Sequence, residues 1–130
     1  MVERRQGDIV VIRVSGVCTR ATAASLLRLT DLHADLATAD PPHRRELVAV
    51  LVDLEDTTGL AEDALRDLRG ARSRARRTGF AFALTGARAQ VHRLPLPVQE
   101  LLAEFSTYPT VDAALVALGS AAPSPNRASA

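Results

Sequence analysis

The sequence predicts a single α/β domain, and three stretches between residues 47 and 84 predict it. The run LVAVLVDL at 47–54 is rich in Val and Leu and holds one polar residue near its end, Asp53. An apolar run of that length, bounded by charge, is a strand buried on both faces, as in a parallel sheet. A second run, FAFAL at 80–84, follows Gly79, which can close a helix as the first residue past its end. Between the two runs, Ala64, Leu65, Leu68, Ala71 and Ala75 fall within an arc of about 120° on a helix, and most arginines project elsewhere. Strand, helix, strand over that length is a right-handed crossover unit. The turn after its first strand is where an open α/β sheet normally works.

The other elements follow in chain order. IVVIRV at 9–14 is a strand, entered at Gly7-Asp8 and left at Ser15-Gly16, and a short strand at 2–5 can pair with it as a hairpin. Ala23, Leu26, Leu29, Leu32 and Leu36 recur at three- and four-residue steps, so 22–37 is a helix with Thr19 or Thr22 as its N-cap. Pro41 and Pro42 cannot continue it. After a strand at 80–85, a turn of helix is expected at 88–94 and a second short helix at 98–105. Tyr108-Pro109 reads as a turn, and Thr110 caps a last helix that Gly119 ends. The strands at 9–14, 47–54 and 80–85 should share one sheet, with helices starting near 22, 63 and 110. The domain spans 1–119, and residues 120–130, small, polar and Pro-containing, read as a disordered tail.

Composition narrows the function classes. The chain has 130 residues, long enough for a core without staples. A net charge of +1 gives no general pull toward nucleic acid or membrane, and 3% aromatics leaves little for base stacking. All sixteen basic residues are arginines, which removes mechanisms that need a lysine amine. Cys18 is the single cysteine, excluding disulfide frameworks and cysteine-rich metal sites. No apolar run approaches the roughly 18 residues of a membrane span, and the N-terminus lacks a secretory segment. A cytoplasmic domain with no cofactor is expected.

His33, His43 and His92 lie far apart, on a polar helix face, in a Pro loop and near a helix end, without metal-ligand spacing. Cys18 reads as a small half-buried thiol. Arg66, Arg69, Arg72, Arg74, Arg76 and Arg77 make one helix strongly basic. That helix is either a solvated face with arginine stems lying along it or a contact surface for an acidic partner. No Ser or Cys has a visible activating partner, so the chain does not read as an enzyme. VLVDLED also resembles phosphoryl-accepting receiver domains. Those need an acidic pair after the first strand and a lysine, where this chain has Ser15-Gly16-Val17 and no lysine.

GDIVVIRVSG, a helix opening at ATAASL, LVDLEDTTGLAEDALRDL, Gly79 before FAFALTG, and YPTVDAAL follow one another across residues 8–119. Their order and spacing resemble the STAS domain, the fold of bacterial anti-sigma factor antagonists. The resemblance implies a small mixed sheet flanked by helices and a non-enzymatic activity. The domain would bind an anti-sigma factor, often a serine kinase-like protein, and so release a sigma factor. In that family the kinase phosphorylates a serine at the start of the second helix, within Asp-Ser-Ser-Gly-Leu, and breaks the complex.

Aligned without gaps from Asp53 to Gly79, that motif falls on Ala61-Glu62-Asp63-Ala64-Leu65, and Asp63 takes the phospho-acceptor place. Sliding it onto Asp56-Thr57-Thr58-Gly59-Leu60 matches the letters better but leaves five fewer residues after the strand; the ungapped register is preferred. The family's Asp in the loop after the early strand is replaced by Thr19. Glu62 and Asp63 read as a good acidic N-cap, worth about 1 kcal/mol, and Asp63 also as a carboxylate standing permanently in the phosphoserine place. The expected contact surface joins Cys18, Thr19 and Thr22 with Thr57, Thr58, Gly59, Glu62 and Asp63, and with Arg66 and Arg69 on the basic helix. A scaffold subunit of a lipid or anion transport complex is the alternative.

Overall fold

Successive residues of the apolar runs point to opposite sides of a sheet, and both sides are covered. The computed structural model describes residues 1–121. Strands β1 (Val2–Gln6), β2 (Ile9–Arg13), β4 (Ala49–Asp53), β6 (Ala81–Thr85) and β7 (Ser106–Tyr108) form one mixed sheet in the order β1-β2-β4-β6-β7. β1 runs antiparallel to β2, and the remaining neighbours are parallel. Ile12, Val52 and Leu84 stand in register across the three central strands. All five residues of β4 are buried, as its near-continuous apolar run requires.

One face carries Val10, Ile12, Val50, Val52, Phe82 and Leu84. Packed on it are helices α1 (Arg20–Ala37), α2 (Glu62–Thr78) and α3 (Leu96–Leu102). α2 buries Ala64, Leu65, Leu68, Ala71 and Ala75, the stripe set by its helical spacing. The other face, with Ile9, Val11, Ala49, Leu51 and Ala83, is covered by α4 (Val111–Ala121) through Ala114, Leu115 and Leu118. Gly79, at φ 101°, closes α2 in the left-handed conformation, with its N–H and that of Phe80 both donating to the Ala75 carbonyl.

Three short strands differ from the sequence reading. β3 (Gly16–Cys18) and β5 (Thr57–Leu60) pair in parallel as a separate two-stranded sheet, where loops were expected. β7 lies where only a turn was expected, and its pairing with β6 makes it a strand. The helical turn near 88–94 is a 3₁₀ helix (Arg88–Arg93), and α3 begins two residues before the expected 98. α4 continues past Gly119, with Thr110 accepting from the Ala113 N–H at its start. Most of the expected tail, residues 122–130, lies outside the described residues.

Candidate functional site

The starts of α1 and α2 stand side by side because β3 and β5, which lead into them, are paired. The Ala61 N–H donates to the Cys18 carbonyl at 3.0 Å, one residue before each helix begins or is capped. Thr19 caps α1: its hydroxyl accepts from the Thr22 N–H at 3.3 Å, and its own N–H donates to Thr22 Oγ1 at 3.2 Å. Both expected capping threonines thus act together, with Thr22 in the place Glu or Gln usually fills.

α2 begins differently from the expectation. Its N-cap is Ala61, which offers no side-chain acceptor, so the acidic-cap reading of Glu62 and Asp63 does not hold. They are instead the first two residues of the helix, where a carboxylate favours the helix dipole without filling the cap. Glu62 pairs with Arg66 one turn on. Asp63 is exposed, and its side chain makes no hydrogen bond or ion pair among the described residues. Arg20, at the start of α1, reaches across to Asp67 with Nε 2.8 Å from Oδ2. The Asp67 hydrogen bond, then the charges of Asp67 and Asp63, raise the pKa of this guanidinium above its ordinary value.

Between the two helix starts lies a small apolar and hydroxyl-bearing surface. Val17 on β3 is 55% exposed. Gly59 lies under it, and a Cβ there would meet Val17 Cγ1 at 3.8 Å, an ordinary contact. Thr58 is exposed beside it. Thr57 is not: it is buried, and its hydroxyl donates to the Leu54 carbonyl at 2.7 Å. The Leu54 carbonyl also accepts from Gln90 Nε2 at 3.1 Å, tying the 3₁₀ helix to the loop before β5.

The STAS domain family profile matches residues 1–114. The chain belongs to the STAS domain family. Among solved structures it is similar to a serine-to-glutamate variant of RsbS from Moorella thermoacetica, at 17% identity and TM-score 0.65, covering 93% of this chain and 96% of that one. An anti-sigma factor antagonist from Mycobacterium paratuberculosis is 26% identical, with TM-score 0.59 and coverage of 91% and 92%. The STAS domain of a SulP transporter from Vibrio cholerae is 15% identical, with TM-score 0.61 and coverage of 91% and 86%. No individually curated protein gives a significant match.

Within this STAS domain, two expected contact residues are withdrawn from the surface. Cys18 is fully buried rather than half-buried, and burial pushes its thiol from 9.0 up to about 11. Neither its side chain nor that of Thr57 can touch a partner. Because folding raises the Cys18 pKa, stability attributable to it is whole below pH 9.0 and falls as pH climbs toward about 11. The native protein should therefore resist thiol alkylation near pH 8 while the urea-unfolded chain reacts. Equal rates in the two states would show that β3 opens freely.

The basic helix of the STAS domain is less free than its sequence implies. Arg69 pairs with Glu104 at 2.8 Å, and Arg72 lies over the Phe105 ring at 5.3 Å from its centroid. Arg74 reaches Asp31 at 3.3 Å and Asp35 at 2.7 Å on α1. These arginines fasten α2 to its neighbours, and Arg69, still exposed, shares its charge with Glu104. His33, expected on a polar face, is buried and meets Glu3 of β1 at 2.7 Å through Nε2. No group of His, Cys, Asp or Glu among the described residues could hold a metal ion. No helix of the described residues is long and apolar enough to cross a membrane.

One structural residue went unassigned in the sequence reading. Asp53, 2% exposed at the end of β4, accepts from Arg13 Nε at 3.2 Å, from Thr85 Oγ1 at 3.3 Å and from the Glu55 N–H at 3.1 Å. A lone polar residue in an apolar strand was the available signal. The cluster holds the ends of β2, β4 and β6 together.

Proposed function

We propose that this STAS domain is a cytoplasmic interaction module of the anti-sigma factor antagonist kind, acting by binding rather than by turnover. Its partner would be an anti-sigma factor, including the serine kinase-like kind, and its contact surface comprises Thr19, Thr22, Val17, Thr58, Gly59, Glu62, Asp63 and Arg66. The carrying observation is the exposed Asp63, unpaired among the described residues, in the first turn of α2 beside the α1 start. Similarity to the Mycobacterium antagonist supports the reading. The ungapped register is supported by the same geometry: Thr57–Leu60 is a strand, whereas Asp63 lies at a helix start, where the family's acceptor serine belongs.

The reading is tested by titrating the cognate anti-sigma factor into the native protein and into Val17→Asp. Val17 is exposed, so the charge leaves folding intact but should abolish saturable binding by burying an unpaired carboxylate in the contact. Undiminished binding would move the interface elsewhere. Arg66→Glu should also weaken the complex, more at low salt than at high, while costing stability about 0.5–1 kcal/mol, through loss of the pair with Glu62 and the repulsion of two carboxylates one turn apart. Salt-independent, unchanged affinity would leave Arg66 as a solvated ion pair alone.

Similarity to the SulP transporter domain favours a second reading, a scaffold subunit of a lipid or anion transport complex. Stable association with a membrane transporter, together with no binding to the anti-sigma factor, would select it.

A further inference from the structure

We propose that the groove beside β7 binds a small monocarboxylate carrying one apolar ring or short chain. The groove has a volume of about 190 Å³ and lies between the 3₁₀ helix, α3 and β7. Its lining includes Ala87, Val91, Leu102 and Ala103, with Arg88 and Tyr108 beside them. It opens beyond the carboxyl ends of β6 and β7, since Ala87 and Arg88 follow β6 and Tyr108 ends β7. That end of a parallel sheet is the usual place for a ligand, because the loops there diverge while the strands hold their bases fixed.

Size and charge together choose the occupant. A cavity of about 150 Å³ suffices for benzene, so this groove seats a single ring with a small substituent. Among the described residues of the lining Arg88 is the one that is charged, which matches a monoanion better than a phosphate dianion. Among the described residues Arg88 makes no ion pair, unlike Arg66, Arg69, Arg72 and Arg74 on α2. Its guanidinium fork suits a carboxylate in bidentate geometry.

The floor is already built. Leu102 is 4% exposed and packs into the core. The Gly86 N–H donates to the Tyr108 carbonyl at 3.2 Å, holding the end of β7 against the loop after β6. The Gln99 amide, which also lines the groove, is held by the Leu94 carbonyl at 2.8 Å. A ligand would therefore meet prearranged walls and would cost little reordering on entry.

The test is an amide NMR titration of the full chain with benzoate, benzamide and acetate. Benzoate should give saturable shifts confined to Val91, Ala103, Thr107 and Tyr108. Benzamide, equal in shape but neutral, should bind about tenfold more weakly, and acetate, which has charge without a ring, should not saturate. Arg88→Gln should remove the difference between benzoate and benzamide. Ala103→Phe, at an exposed position, should fill the groove and abolish binding while the remaining spectrum keeps its dispersion. Equal affinity for benzoate and benzamide in the native protein, shifts centred elsewhere, or the absence of saturation would each overturn the proposal.

Discussion

Replacing Gly86 with alanine should destabilise the protein by about 3 kcal/mol. Gly86 has φ +78°, and a Cβ built on it would stand 2.8 Å from both the backbone nitrogen and the Cβ of Glu55. The left-handed conformation alone costs a non-glycine residue about 1–2 kcal/mol, and forcing atoms into a packed site typically adds about 1–3 kcal/mol. Neither neighbour can yield easily. The Glu55 N–H is bonded to Asp53, and the Gly86 N–H is bonded to Tyr108 across the end of the sheet. Gly79→Ala is the control: its φ is +101°, but nothing lies within 4 Å of the added Cβ. It should lose only the conformational part, about 1–2 kcal/mol. Urea denaturation of the two variants measures the difference, and equal losses would show that the loop around Glu55 relaxes.

Removing the charge at Asp63 should tighten binding to the cognate anti-sigma factor by about 1–3 kcal/mol, in both Asp63→Ser and Asp63→Ala. A carboxylate at the start of α2 would repel an acidic partner surface and the phosphates of a kinase-bound nucleotide. It carries about −1, against roughly −1.5 to −2 for phosphoserine, so its bias toward the low-affinity form should be partial. Arg20 moderates the charge from across the gap, since Asp67 holds its guanidinium beside the α2 start. Only the serine variant should become a kinase substrate, and with reduced efficiency, because Ala61 replaces the Asp of the family motif. Calorimetric titration and mass spectrometry read the two outcomes. Weaker binding in both variants would make Asp63 a contact residue. Phosphate on Thr58 of the natural protein would instead place the switch on β5, where Thr58 is exposed and Thr57 has its hydroxyl bonded to Leu54.

By itself, the sequence determined the central strands β2, β4 and β6, the inward stripe of α2 and the helix stop at Gly79. Each of these follows from the spacing of apolar residues within a few turns or a few strand residues, a local property. The mixed sheet with its flanking helices was legible only through the family resemblance, and the neighbouring starts of α1 and α2 rest on the pairing of β3 with β5, which no local spacing announces. The chain segments 16–18, 57–60 and 106–108 are too short to announce strands, and long-range pairing alone makes them so. Only the tertiary structure decided that Cys18 and Thr57 turn inward while Val17 and Thr58 face out, because a two-residue period in a three- or four-residue strand has no local reference. It likewise decided which arginines are engaged. Glu104, Asp31 and Asp35 lie some thirty to forty residues away from Arg69 and Arg74 along the chain, and packing of α2 against α3 and α1 brings them together.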